Sequence, residues 1–173
     1  MPDAPQVASR LAALEDQADA EARATKEAAV SMVQAVSSAA EEQAATAKKA
    51  AALREKGNAA MAASDYPRAK ACYTEALDLG SALAADERAK TLGNRAALHM
   101  ACSEPRLALA DAEAALALLP SSGKAQYRVG AAREACGDID GAVAAMRRAA
   151  ALMPDAAQVA QRLRDLEAQA ARS

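Results

Sequence analysis

Small and apolar residues recur every 34 positions in the C-terminal half of the chain, where one unit is used twice. Two antiparallel helices fit a unit of this length, and such a pair cannot bury its apolar face alone. Copies must therefore stack on one another, which predicts an all-α solenoid with a concave face for a binding partner. The equivalent positions include Ala96/Gly130, Cys102/Cys136, Ala108/Ala142, Ala115/Ala149 and Pro120/Pro154.

A third copy lies upstream, 39 residues before the second, at Gly57, Ala69, Tyr73 and Ala76. The repeat and its punctuation by proline, glycine and aspartate predict three pairs of helices. Their expected limits are about 52–63 and 67–79, 87–101 and 105–118, and 122–135 and 139–152. The stretch from 155 to 171 carries Val159, Leu163 and Leu166 on one helical face, so we expect it to cap the last repeat.

These segments resemble the tetratricopeptide (TPR) repeat, in which small residues occur where two antiparallel helices cross and a proline follows the second helix. The matching positions are Gly57, Ala69, Tyr73 and Ala76, then Ala96, Ala108, Ala115 and Pro120, then Gly130, Ala142, Ala149 and Pro154. The resemblance covers roughly residues 52–171. It implies a TPR α-solenoid of three helix-turn-helix repeats with a C-terminal capping helix.

A long alanine-rich helix is predicted before the repeats, because residues 6–56 contain no glycine or proline. We divide the chain into a helix at 1–17, a helical linker at 18–50 and a three-repeat domain at 51–171. The apolar stripe of the long helix does not hold a heptad for three turns, so a coiled-coil dimer is the lesser alternative. Weak self-association through this helix stays open. The stripe consists of Val7, Leu11 and Leu14, then Val30, Met32, Val33 and Val36.

The first 18 residues repeat the sequence of residues 153–170 at 13 of 18 positions. Chance similarity between alanine-rich helices accounts for the shared alanines, but not for Met-Pro-Asp, Gln-Val, Arg-Leu and Leu-Glu in register. The N-terminal helix therefore resembles the C-terminal cap. We expect the chain to be one module of a longer tandem protein or the remnant of a duplication, which leaves Val7, Leu11 and Leu14 without their packing partner.

Composition narrows the class of protein. The formal net charge is -2 and the isoelectric point is near 5.5, so no net basic field favours nucleic acid as a partner. The 53% hydrophobic content is largely alanine and includes no Trp or Phe, so helices pack closely but bury little area. There is no basic-then-apolar leader and no run of about 20 apolar residues, which predicts a cytoplasmic protein without a membrane partner.

Residues typical of catalytic and metal sites are scarce. Cys72, Cys102 and Cys136 have no second Cys or His nearby in sequence, so we expect small apolar packing residues and neither metal ligands nor disulfides. His99 is the only histidine, and we expect it to pack within its helix. No Gly-rich phosphate loop or Ser/His/Asp set is present, so we predict no cofactor and no enzymatic activity.

Polar residues on the first helices of the repeats form pairs four positions apart, which places each pair on one helix face. The pairs are Arg54/Asn58, Lys90/Asn94 and Lys124/Arg128. Asparagine is a poor mid-helix residue, and like charges four positions apart cost a few tenths of a kcal/mol. A ligand outside the helices would compensate for this unfavourable choice of residues.

The motifs that contain these pairs resemble the signature of the carboxylate-clamp TPR domains found in co-chaperones. That family binds the free C-terminal Asp of a Glu-Glu-Val-Asp tail on heat-shock chaperones. The resemblance implies a peptide-binding set of five residues, Arg54, Asn58, Asn94, Lys124 and Arg128. Arg54 departs from the lysine usual in the family, and its planar fork on a longer arm places the charge differently.

The sequence thus predicts an adaptor that docks the C-terminal peptide of a cytosolic heat-shock chaperone. The alternative is a generic TPR scaffold, or a self-associating structural protein, without clamp activity. Binding of a single tail peptide separates the two.

Overall fold

The computed structural model describes residues 3–80 and 83–172. This part of the chain contains seven α-helices and no strand, which confirms the predicted all-α class. The helices are α1 (Ala4–Ala62), α2 (Tyr66–Leu77), α3 (Ala85–Ala101), α4 (Pro105–Leu118), α5 (Gly123–Ala135), α6 (Ile139–Leu152) and α7 (Ala157–Ala170).

The chain divides into two compact units, residues 1–44 and 45–173. The first unit belongs to α1, and every described side chain from residue 5 to residue 44 is exposed. Its larger apolar side chains, such as Leu14 and Met32, therefore have no packing partner within the unit. α1 runs without a break through positions 17 and 50, so the division into a cap-like helix, a linker and a repeat helix stays a prediction.

The second unit consists of three helix pairs followed by a cap. The C-terminal part of α1 packs on α2 through Ala60 and Tyr73, and each later helix packs on the one before it. α7 covers α6 with Val159 and Leu166, which are completely buried against Val143 and Met146. The predicted three repeats and the capping helix are confirmed.

Alanine and glycine let the helices of each pair approach closely. At Gly57 in α1, a Cβ atom would lie 2.5 Å from the Tyr73 ring of α2, so only glycine permits this contact. Ala69, Ala108 and Ala142 are fully buried at equivalent positions of the three repeats. The short side chains bring the backbones together and set the first helices side by side.

The turns between the helices follow the predicted punctuation, with one correction. Asp65 and Asp138 accept hydrogen bonds from backbone N–H groups in the first turns of α2 and α6, and Gly137 ends α5 with a φ of 86°. Cys102 and Cys136 were expected in the core, but both are exposed. They occupy the equivalent C-cap positions of α3 and α5, where the chain leaves the helix toward solvent.

Candidate functional site

The five predicted site residues line one cavity in the second unit. Arg54 and Asn58 come from α1, Asn94 from α3, and Lys124 and Arg128 from α5. The cavity has a volume of about 580 Å³. Each repeat contributes to it through its first helix, so the stacking of the repeats brings the distant sequence positions together. The remaining lining residues are Ala89, Lys90, Gly93, Ala115, Leu119, Ser122 and Ala125.

A chain of hydrogen bonds fixes the two asparagines. The Asn58 side-chain oxygen accepts from the Tyr73 hydroxyl at 2.9 Å and from the Asn94 amide at 2.8 Å. The Asn94 oxygen in turn accepts from Arg128 at 3.3 Å. Burial raises the pKa of Tyr73 above its ordinary value, so its hydroxyl is a donor at neutral pH. The amide N–H groups of Asn58 and Asn94 therefore have a defined orientation.

Arg128 reaches the cavity because Gly93 leaves room for it. A Cβ atom at Gly93 would lie 2.9 Å from a guanidinium nitrogen of Arg128. Burial lowers the pKa of Arg128 from its ordinary value, although an arginine keeps its charge at any physiological pH. Among the described residues, no carboxylate forms an ion pair with this guanidinium. A half-buried positive charge without a compensating anion favours the binding of an anionic group.

Lys124 is the second uncompensated cation of the cavity. It lies one helical turn before Arg128 on α5, and its side chain is exposed. Within residues 3–80 and 83–172, it makes neither a hydrogen bond nor an ion pair. Its ammonium group is therefore available to a ligand without breaking an internal contact.

Arg54 and Lys90 differ from these two cations because acidic side chains of the protein already pair with them. Glu87 accepts from Arg54 at 3.4 Å and from Lys90 at 3.0 Å. Glu55 lies 2.8 Å from Arg54, and Asp86 lies 2.5 Å from Lys90. The hydrogen bond that Lys90 donates to Asp86 is the largest cause of its raised pKa, followed by the one that it donates to Glu87. Acidic side chains of the protein thus neutralise the positive charge on this side of the groove.

A second, apolar cavity of about 480 Å³ adjoins the first and shares Lys124 and Arg128 with it. The sequence did not lead us to expect it, because its walls come from α3, α4, α5 and α7 together with the Met153 turn. Its other lining residues are Ala96, Ala97, Met100, Ala108, Tyr127, Ala131, Met153, Gln158 and Val159. The polar groove therefore continues into a pocket suited to aliphatic side chains.

Behind the groove, a polar network joins α2, α3 and α4. Arg95 binds both oxygens of Asp111, at 2.7 and 2.8 Å. His99 is buried, as expected for a packed helix residue, and its Nδ1 lies 2.6 Å from Glu104. Lys70 of α2 lies 3.6 Å from the same carboxylate. These contacts hold α3 in place, so they support the groove without lining it.

The structure adds two further observations. In residues 3–80 and 83–172, no group of three or more His, Cys, Asp or Glu side chains could hold a metal ion. Among the same residues, no helix is long and apolar enough to cross a membrane.

Comparison with known proteins places this geometry in context. No family model matches the chain. It is 39% identical over 90 residues to the heat-shock protein cognate co-chaperone sgt12 of Aspergillus fumigatus, covering 52% of this chain and 25% of that protein. It is 35% identical over 127 residues to the small glutamine-rich tetratricopeptide repeat-containing protein 2 of Saccharomyces cerevisiae, covering 73% of this chain and 35% of the relative. The chain thus spans between a quarter and about a third of the length of these relatives.

A solved TPR structure is similar to this chain in fold. The first TPR of Spaghetti (RPAP3), bound to the HSP90 peptide SRMEEVD, superposes with a TM-score of 0.67 at 31% identity. The match covers 73% of this chain and 98% of that one. With the repeat period, the helix pairs and this similarity all in agreement, the chain belongs to the tetratricopeptide repeat family.

Proposed function

We propose that the repeat domain binds the free acidic C-terminus of a cytosolic heat-shock chaperone, a tail that ends in Glu-Glu-Val-Asp. The observation that carries this proposal is the pair Lys124 and Arg128, two cations that face one cavity without an acidic partner among the described residues. The comparisons support it, because one relative is named a co-chaperone and the similar TPR structure holds an HSP90 peptide that ends in the same residues.

In the proposed mechanism, cationic side chains neutralise the bound carboxylates and asparagine side chains orient them. Lys124 and Arg128 neutralise the terminal carboxylates, and the guanidinium fork of Arg128 provides two parallel donors. Asn94 keeps a second N–H group after it bonds Asn58, because an amide nitrogen carries two. Asn58 and Asn94 therefore donate to the carboxylates and fix their direction, while Arg54 contributes charge from the side of the groove that Glu87 occupies.

The neighbouring apolar cavity extends the proposal to the residues before the tail's last carboxylate. It begins at Lys124 and Arg128, so an aliphatic side chain of the bound peptide enters it while the terminus stays in the polar groove. The groove is pre-formed, so most of the ordering cost falls on the peptide. Short tails then bind in the micromolar range, which corresponds to a binding free energy of about -8 kcal/mol.

On this proposal the protein is an adaptor that acts in the cytoplasm and catalyses no reaction of its own. Its repeat domain holds the chaperone tail, and the helix before the repeats is free for other contacts.

Fluorescence anisotropy with a labelled peptide ending in free Glu-Glu-Val-Asp tests the proposal. We expect micromolar binding to the free acid and loss of binding when the same peptide carries a C-terminal amide, because the amide removes one of the two carboxylates at the terminus. Equal affinity for the two forms would sink the proposal. Salt should weaken binding of the free acid, since part of the attraction is between exposed charges.

A matched pair of variants locates the site. Lys124→Ala should weaken binding by about 1.5–3 kcal/mol, as expected for a hydrogen bond to a charged group, with no change in helicity. Lys48→Ala removes the same charge from an exposed position of α1 outside the cavity and should leave the affinity unchanged. If both variants weaken binding equally, the attraction is diffuse and the peptide is not held at Lys124.

A further inference from the structure

The helix α7 shows what the capping sequence does when it is docked. Val159 is 0% exposed and Leu166 is 1% exposed, and both pack on Val143 and Met146 of the third repeat. Leu163 packs against the same cluster. In the N-terminal copy of this sequence, the equivalent Val7, Leu11 and Leu14 are 52%, 58% and 61% exposed. One copy of the capping face is buried and the other is uncovered.

The two copies agree wherever α7 touches the repeats. Of 18 aligned positions 13 are identical, and the five that differ all fall on residues that are exposed around α7. Every buried or half-buried position of residues 153–170 consequently has the same residue in the N-terminal copy. An unchanged docking face, with all the variation on the solvent face, indicates that the N-terminal copy retains a surface that fits the third repeat. The differing pairs are Pro5/Ala157, Ser9/Gln161, Ala12/Arg164, Ala13/Asp165 and Asp16/Ala168.

Charge complementarity is retained as well. Arg162 of α7 lies 2.8 Å from Glu134 of α5, and Glu167 lies 2.8 Å from Arg147 of α6. The N-terminal copy has Arg10 and Glu15 at the equivalent positions. A segment docked in the place of α7 would therefore form both ion pairs, with the same signs and in the same register.

We propose that residues 3–18 are a second capping helix, which docks on the third repeat of another copy of this chain in the place of that copy's α7. The partner is a second copy because its third repeat presents the complementary surface in full, from the pocket for Val159 to the two ion pairs. This proposal does not rest on the proposed peptide binding, although Gln158 and Val159 of the resident α7 also line the apolar cavity beside the polar groove.

Concentration decides which cap occupies the third repeat. α7 follows α6 after only residues 153–156, and a short tether gives it an effective concentration in the millimolar range. The resident cap therefore prevails in dilute protein, and exchange between copies rises as the protein is concentrated. Loss of α7 from its place removes the competitor, so the N-terminal segment of a second copy then takes the site.

Sedimentation equilibrium on full-length variants tests the exchange. Val159→Asp with Leu166→Asp breaks the docking face of α7. We expect this chain to associate, with at least a twofold increase in mass. Adding Val7→Asp and Leu14→Asp should return it to a monomer with a lower melting temperature. A cap-broken chain that stays monomeric and is not further destabilised by Val7→Asp and Leu14→Asp would overturn the proposal.

A control on the same helix separates capping from coiled-coil association. Val33→Asp with Val36→Asp charges another exposed part of α1 and should leave the cap-broken chain associated. Dissociation by this control would assign the contact to a helix pair and overturn the proposal. A chain that stays monomeric yet loses stability on Val7→Asp and Leu14→Asp would show that the segment caps its own third repeat, which also contradicts docking on a second copy.

Cross-linking tests the exchange with α7 intact. One population carries Arg10→Cys and the other Glu134→Cys, both with the native cysteines replaced by alanine. A short bismaleimide should give mixed dimers whose yield rises with concentration. Ser9→Cys, at a position whose α7 equivalent Gln161 is exposed, is the matched control and should give a lower yield. Equal yields from Arg10→Cys and Ser9→Cys would overturn the proposed register.

Discussion

Glu87 determines how much of the positive charge in the groove is available to a ligand. Its carboxylate pairs with both Arg54 and Lys90, whereas Lys124 and Arg128 have no acidic partner among the described residues. An incoming carboxylate gains Lys124 and Arg128 at once but competes with Glu87 for Arg54 and Lys90. On the proposed function, Glu87 is therefore an internal competitor at one side of the groove.

The Glu87→Gln variant should bind an acidic C-terminal peptide about three- to tenfold more tightly than the wild type, because it removes one negative charge and one of the two acidic partners of each cation. Fluorescence anisotropy at low and at moderate salt measures the gain, which should shrink as salt is raised. Glu113→Gln is the control, since Glu113 pairs with Arg133 and lines neither the groove nor its apolar extension. Unchanged or weaker binding of Glu87→Gln would contradict the competitor role.

The candidate residues on α1, α3 and α5 could be predicted, but their partners could not. Asn58, Asn94 and Arg128 follow from motifs with fixed spacing inside single helices. The pairing of Arg54 with Glu87 spans 33 positions and depends on how α1 packs on α3, which no local pattern encodes. Tyr73 is buried, and its hydroxyl also reaches Asn58, a contact that no local motif indicates.

At the scale of helices, the sequence predicted those helix limits that a proline or a glycine marks. Pro67 and Pro105 stand in the first turns of α2 and α4, and Gly137 follows α5, so these limits agree with the structure to within about two residues. The start of the first repeat helix has no such signal, because residues 6–56 contain neither glycine nor proline. α1 accordingly continues from the N-terminal segment into the first repeat.

The contact between α2, α3 and α4 should give the fold a specific sensitivity to acid. The hydrogen bond from His99 holds the pKa of Glu104 below its ordinary value of 4.5, and Lys70 adds to the effect. Because the pKa of Glu104 is depressed in the folded state, this contact stabilises the fold fully above the pKa of the unfolded chain. The stabilisation is lost as the pH falls through the folded-state pKa. Its loss loosens α3, which carries Asn94.

Thermal unfolding followed by circular dichroism between about pH 5 and pH 3 measures this contribution. The melting temperature of Glu104→Gln should fall less steeply across that range than the melting temperature of the wild type. Glu75→Gln, which changes an exposed carboxyl on α2, should follow the wild-type curve. Parallel curves for wild type and Glu104→Gln would mean that Glu104 does not stabilise the fold.

At the scale of the whole molecule, the two units differ in whether they bury a core. The repeats bury a core built largely from alanine, while every described side chain from residue 5 to residue 44 is exposed. A core of small side chains gives modest stability, because each alanine removes little apolar area from water. The helix pairs and the α7 cap nevertheless close this core within the second unit.

Deletion of residues 1–45 should therefore leave the melting temperature of the repeats almost unchanged. Deletion of residues 157–173 is the matched comparison, because it removes the helix that buries Val159 and Leu166 and should lower both the melting temperature and the cooperativity. Calorimetry on the two truncated chains measures the difference. A marked loss on deletion of the N-terminal residues would show that they stabilise the repeats after all.

The position of the tyrosines gives the protein its own optical probe. The chain has three tyrosines and no tryptophan, so its ultraviolet emission comes from tyrosine alone. Tyr127 lines the apolar cavity, and the Tyr73 hydroxyl is bonded to Asn58 at the edge of the polar one. Any ligand that fills the groove changes the surroundings of these two rings. Occupancy can thus be followed by fluorescence in unlabelled protein, with Tyr127→Leu and Tyr73→Phe assigning the signal to one cavity or the other.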